Sequence, residues 1–233
     1  KNERKLKKSF KSLRNHGYKP VNFTCDVTSP EEIDKVVGEI HNLGSIDGLV
    51  NSAAIDPKVD AISVAKAGDN GWFTTYSLEN WSKSLSVNLT GTFLMTQAVC
   101  RVMENQDGGR GAVVNLSSTY GIVAPDQRIY EDKKEKRFFK PVDYSVTKAG
   151  ILGFTRAVAA FYRDTNLRVN ALTPGGVFHE HDSDFVSRYA ASTIVGRMSK
   201  PDEYRGAIVF LCSDASSYMT GSNLVIDGGW TAI

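Results

Sequence analysis

Short apolar segments alternate with amphipathic helical segments along this chain, and this alternation limits the possible folds more than any other feature. Residues 21–24 and 46–50 have the composition of strands. Between them, the Ser-Pro-Glu-Glu segment at residues 29–32 is a capping box with proline at the first helical position, and Gly44 ends the helix. A strand, a helix and a second strand in succession require a crossover connection, which makes the strands parallel. The sequence therefore predicts an α/β fold built on a parallel sheet.

The same pattern continues to the C-terminus. Strands are predicted at residues 112–116, 167–172 and 223–226, and helices at 78–103, 142–162, 184–191 and 201–211. Ser77 is the expected cap of the first of these helices, and residues 53–76 form a long polar connection. No linker, internal repeat or low-complexity segment interrupts the pattern, so we expect residues 1–233 to form one domain.

Composition excludes few partners but does bear on the compartment. The formal charge of +2 favours no particular partner, and no run of about 18 apolar residues predicts a membrane span. Cys25, Cys100 and Cys212 are widely separated and form no CxxC pair. They are typical of reduced thiols, so we expect a cytoplasmic protein.

The first fourteen residues carry seven Lys or Arg residues against one Glu. A basic arm for nucleic acid is one interpretation. Leu6, Phe10 and Leu13 recur at helical spacing, which favours the other interpretation, a solvated helix with an apolar stripe. We therefore expect no nucleic-acid partner.

Tyr144 and Lys148 stand four residues apart in the predicted helix 142–162, so their side chains share one helical face. A phenol ionises near pH ~10, and a neighbouring cation lowers its pKa. A shift of about three units needs roughly 4 kcal/mol of differential stabilisation. The pair is suited to moving a proton to or from an alcohol or ketone oxygen. Such pairs also occur by chance on solvated helices, so the interpretation depends on the rest of the chain.

Five further segments accompany the pair, and each lies within or directly after a predicted strand or helix. They are Asn-Ser-Ala-Ala at residues 51–54, Ser-Val-Asn-Leu-Thr-Gly at 86–91, an apolar strand ending in Ser-Ser-Thr-Tyr-Gly at 111–121, Arg-Val-Asn-Ala-Leu-Thr-Pro-Gly at 168–175 and Asp-Gly-Gly at 227–229. In this order they resemble the short-chain dehydrogenase/reductase family of the classical type, from about residue 22 to the end. The resemblance implies a Rossmann-like, doubly wound parallel sheet with helices on both faces. It also implies hydride transfer between NAD or NADP and a secondary alcohol or ketone.

The resemblance assigns four catalytic roles. Ser118 would hydrogen-bond the substrate oxygen, Tyr144 would donate or accept the proton, and Lys148 would lower the pKa of Tyr144 and bond the nicotinamide ribose. Asn88 would hold a water that relays protons onward from Lys148. Without the resemblance, Ser118 could be an ordinary strand-end hydroxyl, and Asn88 could be a helix-interior amide that bonds locally.

Three segments match the family positions that hold the cofactor, in addition to Tyr144 and Lys148. These are Asp26 and Val27 beside the adenine, Asn51 and Ala53 after the strand predicted at residues 46–50, and Pro174, Gly175 and Val177 against the nicotinamide. Asp26 could instead cap a plain turn. Ala54 stands where the family usually has Gly, and His179 stands where it often has Thr. His179 and His181 form only a His-x-His pair, so no metal site is predicted.

The family opens with a strand, a glycine-rich turn and a helix that cradle the cofactor pyrophosphate. The sequence shows no such segment, so the domain lacks its first βαβ portion. We expect roughly 35 to 45 residues to precede Lys1 in the protein. If that segment is truly absent, the strand at 21–24 has no neighbour and cofactor binding becomes doubtful.

The separation of Ser118 from Tyr144 is about twice that of the family, and the extra residues fall in 124–140. One hypothesis makes this insertion part of the substrate wall, with Arg128, Tyr130 or Lys140 reaching a polar or anionic substrate. The alternative is a solvated surface loop, because acidic residues offset the basic ones. The insertion and the family pattern favour a sugar-like or polyol-like small molecule.

The sequence therefore predicts a nicotinamide-dependent oxidoreductase. The rival is a catalytically silent binding or scaffold protein of the same fold, which only the missing glycine-rich turn supports. Family members are commonly tetramers, and the apolar C-terminus with Trp230 and Ile233 fits burial in an oligomer contact. We expect a homotetramer.

Overall fold

A computed structural model describes residues 10–11, 13–57, 70–130 and 138–233. Three predictions fall partly outside these ranges: the N-terminal helix, the polar connection 53–76 and the insertion 124–140. Of the N-terminal helix, residues 10–11 and 13–15 are described and are helical.

The described strands form one parallel sheet. They are β1 (Gly48–Asn51), β2 (Arg110–Leu116), β3 (Asn166–Pro174) and β4 (Asn223–Ile226), in the order β1-β2-β3-β4. Each was predicted within two residues at its ends. Because all strands run in one direction, their carboxyl ends meet at one edge of the sheet, where ligands bind in open α/β folds.

Helices occupy both faces of the sheet, which confirms the predicted doubly wound architecture. They are α1 (Pro30–His41), α2 (Leu78–Leu85), α3 (Gly91–Asn105), α4 (Val142–Phe161), α5 (Ser183–Ala191) and α6 (Arg205–Cys212). On one face, Val113 and Val169 pack with Met103 of α3. On the other, Val114 packs with Leu211 of α6. Successive strand residues point to opposite faces, so both sides of the sheet are buried.

The predicted helix 78–103 is not continuous. A π-helical turn, Ser86–Thr90, separates α2 from α3 and contains the buried Asn88. Such turns are common at functional sites. The helix predicted at 201–211 begins later, at Arg205.

The predicted strand at 21–24 is wrong: residues 18–26 form no strand, and Val21 is exposed. A strand needs a partner for its backbone groups. Within the described ranges, β1 pairs only with β2 and its other edge is open. The N-cap that follows is confirmed, since Ser29 Oγ accepts from the Glu32 amide (3.2 Å). The reciprocal bond of a capping box is not formed, because the Glu32 carboxylate accepts from the Asp26 amide (2.8 Å) and the Ser29 amide donates to the Asp26 carbonyl oxygen.

Arg168 of β3 ties the sheet to the C-terminal end of α6. Its guanidinium donates to the carbonyl oxygens of Leu211 and Ser213 (both 3.1 Å), to Ser216 Oγ (2.9 Å) and to the Met219 carbonyl oxygen (3.3 Å). A cation at a helix C-terminus satisfies carbonyls that have no partner in the helix. In the described part of the chain, no helix is both long and apolar enough to cross a bilayer.

We predict that Arg168→Met lowers the free energy of unfolding by about 3 kcal/mol, because several carbonyls lose a charged donor together. Urea denaturation measures the effect. Arg205→Met, at an exposed position in the first turn of α6, is the matched control and should change stability by less than about 0.5 kcal/mol. Equal unfolding midpoints for the two variants would contradict this account of Arg168.

Candidate active site

The carboxyl ends of three neighbouring strands bring the predicted site segments to one edge of the sheet. β1 ends at Asn51, just before Ala53, and β2 ends at Leu116, just before Ser118. β3 ends at Pro174, where the loop to Val177 begins. Helix α4 carries Tyr144 and Lys148 on one face, as predicted.

Helix α4 is attached to the end of β2 through Lys148. The Lys148 ammonium donates to the Leu116 carbonyl oxygen (2.8 Å), and the Lys148 carbonyl oxygen accepts from Ser117 Oγ (2.8 Å). Gly121 permits this approach, since a Cβ there would lie 2.7 Å from the Lys148 carbonyl. The position of the buried ammonium is therefore determined by both its side chain and its backbone.

Burial dominates the electrostatics of the Tyr144 phenol. Desolvation raises its pKa well above the usual value, and the negative charge of Asp56 raises it further. The neighbouring Ser118 hydroxyl acts in the opposite direction and lowers it. For Lys148, burial lowers the pKa to about 8, against the opposing effect of Asp56.

The phenol is therefore protonated in the free protein at neutral pH, ready to donate a proton. Accepting a proton requires the phenolate, which needs additional positive charge nearby. Because the pKa of Tyr144 is raised, the phenolate, which is the form that accepts a proton, becomes populated only at higher pH than for an ordinary tyrosine. The arrangement can thus act as an acid as it stands and as a base once more positive charge is present.

Asn88 joins the loop after β1 to helix α4. Its Oδ1 accepts from the Ile55 amide (2.6 Å), and its Nδ2 donates to the Ile55 carbonyl oxygen (3.0 Å) and to Thr147 Oγ1 (3.2 Å). Nδ2 also contacts Ser84 Oγ, one turn earlier (3.3 Å). The amide therefore bonds across long sequence separations as well as locally, and it lies beside the residue that precedes Lys148.

Asn51 turns its side chain into the structure rather than towards the strand ends. Its Nδ2 donates to Asn115 Oδ1 (2.8 Å) and Thr96 Oγ1 (2.9 Å), and Asn115 Nδ2 donates to Thr155 Oγ1 (3.1 Å). These amides link β1 and β2 to α3 and α4. Any role of Asn51 towards a cofactor thus falls to its backbone and to the loop that it holds.

Asp26 and Val27 lie in the turn before α1. The Asp26 carboxylate accepts from the amide (2.9 Å) and hydroxyl (2.7 Å) of Thr28, so it shapes the turn, as the alternative interpretation expected. Val27 lies against Gly91, where a Cβ would approach its side chain to 2.8 Å. Both residues therefore sit near the N-terminal end of α3.

The loop that follows β3 is held from several sides. The Gly175 amide donates to the Ile226 carbonyl oxygen (2.9 Å), and Gly176 bonds the Tyr189 hydroxyl. Val177 forms a bridge with Ser199. Pro174, Gly175 and Val177 are thus fixed at the edge of the sheet where Ser118 and Ala53 lie.

His179 and His181 lie beyond this loop on the surface. His181 stacks on Phe185 with ring centroids 5.3 Å apart, and its Nδ1 accepts from the His179 amide (3.1 Å). In the described ranges, no group of three or more His, Cys, Asp or Glu side chains could hold a metal ion.

Aromatic side chains that the sequence did not single out surround the phenol. Tyr120 meets Tyr144 edge to face at 6.5 Å, and Tyr189 stacks on Trp230 at 4.4 Å. The expectation that Trp230 lies in an oligomer contact is wrong, because the residue is buried within its own chain. Of these two residues, Ile233 is exposed and so remains available for an oligomer contact. The tyrosine in the Ser-Ser-Thr-Tyr-Gly segment was the available signal for Tyr120.

The three candidates from the insertion have different surroundings. Arg128 is largely exposed and pairs with Asp126 (2.7 Å). The Tyr130 hydroxyl donates to the Tyr120 hydroxyl (2.9 Å), and Lys140 is buried with its ammonium over the Tyr144 ring. Residues 131–137 lie outside the described ranges. The described ends of the insertion thus reach the site through Tyr130 and Lys140.

The strand ends fit a nicotinamide nucleotide in two respects. Ser52, Ala53 and Ala54 are small and exposed, so the backbone after β1 is accessible. An ammonium has three donors, and Lys148 uses one on Leu116, which leaves N–H groups for ribose hydroxyls.

Comparisons with known proteins agree with this geometry. The sequence model described as enoyl-(acyl carrier protein) reductase matches residues 1–231. The 3-oxoacyl-(acyl-carrier-protein) reductase FabG of Aquifex aeolicus is 35% identical over 221 residues, which cover 92% of this chain and 77% of that protein. D-threitol dehydrogenase of Mycolicibacterium smegmatis is 34% identical over 215 residues, 90% of this chain and 72% of its own. A short chain dehydrogenase of Leptospira borgpetersenii, solved with bound NAD+, superposes with a TM-score of 0.73 and 32% identity and covers 90% of this chain and 74% of that one.

The chain belongs to the short-chain dehydrogenase/reductase family. It is an NAD(P)-dependent oxidoreductase that acts on an alcohol or ketone, as the sequence predicted.

We predict that Gly121→Ala displaces α4 from β2, because the added Cβ would lie 2.6 Å from Ser117 Oγ and 2.7 Å from the Lys148 carbonyl. Overpacking of this kind costs about 1 to 3 kcal/mol, and a misplaced catalytic group lowers kcat/KM by about tenfold or more. Urea denaturation and the dehydrogenase rate measure the two effects.

Gly153→Ala on the same helix is the control, since its Cβ would meet nothing within 4 Å. It should raise stability by about 1 kcal/mol and leave the rate unchanged. If Gly121→Ala behaves like Gly153→Ala, the close approach at Lys148 does not position the helix.

Proposed function

We propose that Tyr144, Lys148, Ser118 and Asn88 are the catalytic residues of an enzyme that interconverts a secondary alcohol and its ketone. The observation that carries the proposal is the half-buried Tyr144 phenol, which lies close to Ser118 and shares a helical face with the buried Lys148 ammonium. Two hydroxyls and a cation at the strand ends form an acid/base site.

In the reducing direction, Ser118 donates a hydrogen bond to the carbonyl oxygen and Tyr144 gives that oxygen its proton. The bound nicotinamide cofactor supplies or accepts the hydride. Lys148 stabilises the resulting phenolate, which regains a proton through Lys148 and water held near Asn88. In the oxidising direction the Tyr144 phenolate takes the proton of the alcohol.

For the cofactor, NAD or NADP, the proposal assigns two further groups of residues. Asp26 and Val27 lie on the side assigned to the adenine, Asn51 and Ala53 offer backbone at the end of β1, and Pro174, Gly175 and Val177 lie on the nicotinamide side. Lys148 would bond the nicotinamide ribose with the donors that Leu116 leaves unused. Within the described residues, the edge of β1 that does not face β2 is open and can pair with a further strand.

The proposed substrate is a polyol-like or sugar-like small molecule. A relative that is 34% identical is a D-threitol dehydrogenase. Asp56 and Lys140 stand beside the phenol and offer an acceptor and a donor. Polar pairs of this kind suit a substrate with more than one hydroxyl.

A cytoplasmic homotetramer is the proposed state. Val209 and Phe210 expose an apolar patch on α6, while α4 exposes Val146 and Phe161 at separate places. A tetramer with twofold axes needs at least two different self-complementary surfaces. Cys25, Cys100 and Cys212 are free, which suits a reducing compartment.

We predict that the protein reduces NAD or NADP in the presence of D-threitol or glycerol, read as the absorbance of the reduced cofactor. Tyr144→Phe should lower kcat by about 100-fold or more, because the acid/base group is lost. Cofactor binding, followed by tryptophan fluorescence, should persist in the variant. Full activity in Tyr144→Phe would remove this residue from catalysis, and failure of both cofactors to bind would favour the scaffold interpretation.

We predict by light scattering a mass four times that of one subunit of the protein. Val209→Glu should convert the tetramer to a dimer, because a charge in the α6 patch disrupts one of two interfaces. Lys35→Glu, at an exposed position on α1, should leave the tetramer intact. A wild-type monomer would contradict the proposed assembly.

A further inference from the structure

Lys140 is a buried lysine in the insertion, and its ammonium lies over the face of the Tyr144 ring. The distance from Nζ to the ring centroid is 4.2 Å, shorter than the 5.8 Å of Lys148. Only 7% of the Lys140 side chain is exposed, and its ammonium forms an ion pair with Asp56, whose side chain is 58% exposed. Two cations therefore flank the phenol, and one of them carries its own counter-charge.

The backbone around Lys140 is anchored on both sides. The Gln127 side chain accepts from the Lys140 amide (2.8 Å) and donates to its carbonyl oxygen (3.0 Å). The preceding residue, Phe139, donates its amide to the Asn70 carbonyl oxygen (3.0 Å) and packs its ring on Trp72 at 4.8 Å. Lys140 is thus a fixed side chain rather than a solvated one.

Asp56 is positioned from the opposite side. It follows Ile55, whose amide and carbonyl oxygen are both bonded by the Asn88 side chain. The π-helical turn that carries Asn88 therefore sets where the Asp56 carboxylate meets Lys140. The ion pair joins residues 84 positions apart in the sequence, across the mouth of the site.

We propose that Lys140 is a positioning residue that acts on Tyr144 as a second cation, with Asp56 as its counter-charge, and that the pair sets the pH range in which Tyr144 exchanges its proton. The proposal rests on the proposed function of Tyr144 as the acid/base group.

The two charges act on the phenol with opposite signs. A cation over the ring favours the phenolate and lowers the pKa of Tyr144, whereas a carboxylate raises it. After burial, Asp56 is the largest influence that raises this pKa. Asp56 also raises the pKa of Lys148, and Lys140 lowers it. Removing Asp56 should therefore favour the phenolate, and removing Lys140 should favour the phenol.

The groups that face Tyr144 come from every element packed around it. They are Lys148 on α4, Lys140 and Asp56 from two loops, Ser118 and Tyr120 after β2, and Tyr189 on α5. Asp143, which directly precedes Tyr144 on α4, is buried. Of these, Lys140 and Asp56 are the charged groups outside helix α4. Their substitution therefore leaves the helix that carries the catalytic pair unchanged.

The test is the ionisation of Tyr144 followed by NMR in protein labelled with carbon-13 at the tyrosine Cζ. The Tyr144 resonance is identified by its loss in Tyr144→Phe. We expect Asp56→Asn to titrate at least about one pH unit below wild type and Lys140→Met to titrate above wild type. The double variant should fall between the two single variants. Lys83→Met, which removes an exposed lysine on α2, should titrate with wild type.

Opposite shifts exclude a purely structural role, because loss of packing alone would not reverse sign between the two variants. Asp56→Asn is conservative and largely exposed, so the test stands even if Lys140→Met fails to fold. Shifts of both variants in the same direction would overturn the proposal. The proposal would also be overturned if Tyr144 stays protonated over the same pH range in Asp56→Asn as in wild type.

The pH dependence of D-threitol oxidation gives the kinetic counterpart. The rise of kcat/KM with pH should begin at lower pH in Asp56→Asn than in wild type. The NMR titration needs neither substrate nor cofactor, so its result stands even if no polyol is oxidised. If D-threitol is not oxidised but Tyr144 titrates as expected in the variants, only the proposed function is contradicted. If D-threitol is oxidised but the titration of Tyr144 is the same in the variants as in wild type, the role of Lys140 is contradicted.

Discussion

The link between helix α4 and the end of β2 is the interaction on which the site depends. Ser117 bonds the Lys148 carbonyl oxygen, and Lys148 bonds the Leu116 carbonyl oxygen. The lysine that we propose to serve the chemistry thus also attaches its helix to the sheet. Gly121 leaves space for this approach. Ser118 follows directly, so one short strand end positions a hydroxyl, a cation and, one turn away, the phenol.

Burial of that phenol has an electrostatic cost that the surrounding charges must offset. Desolvation and Asp56 both favour the protonated form of Tyr144. Lys148, whose pKa burial lowers to about 8, is close to losing part of its charge at mildly alkaline pH. A second fixed cation at Lys140 adds positive charge beside the phenol, where Lys148 alone loses part of its charge as the pH rises.

The sequence predicted those features of the fold and the site that depend on the pattern of nearby residues. The strands of the sheet, helix α4 and the shared face of Tyr144 and Lys148 follow from hydrophobic spacing and one helical turn. The strand at 21–24 failed because pairing depends on a neighbour, not on composition. The π-helical turn at Asn88 and the contact of Asp56 with Lys140 join distant segments, and no short-range signal encodes them. The prediction that Trp230 lies in an oligomer contact was wrong because an apolar C-terminus can be buried within its own chain as well as against a partner subunit.

Deuterium transfer tests the central claim most directly, that Tyr144 protonates a carbonyl oxygen while its carbon receives hydride. The protein is incubated with the ketone that corresponds to D-threitol and with reduced cofactor deuterated at its transferable position. We predict one deuterium on the carbinol carbon of the wild-type product and almost no product from Tyr144→Phe. Equal transfer by Tyr144→Phe, or carbon-bound deuterium that comes from heavy water instead of the cofactor, would contradict the account.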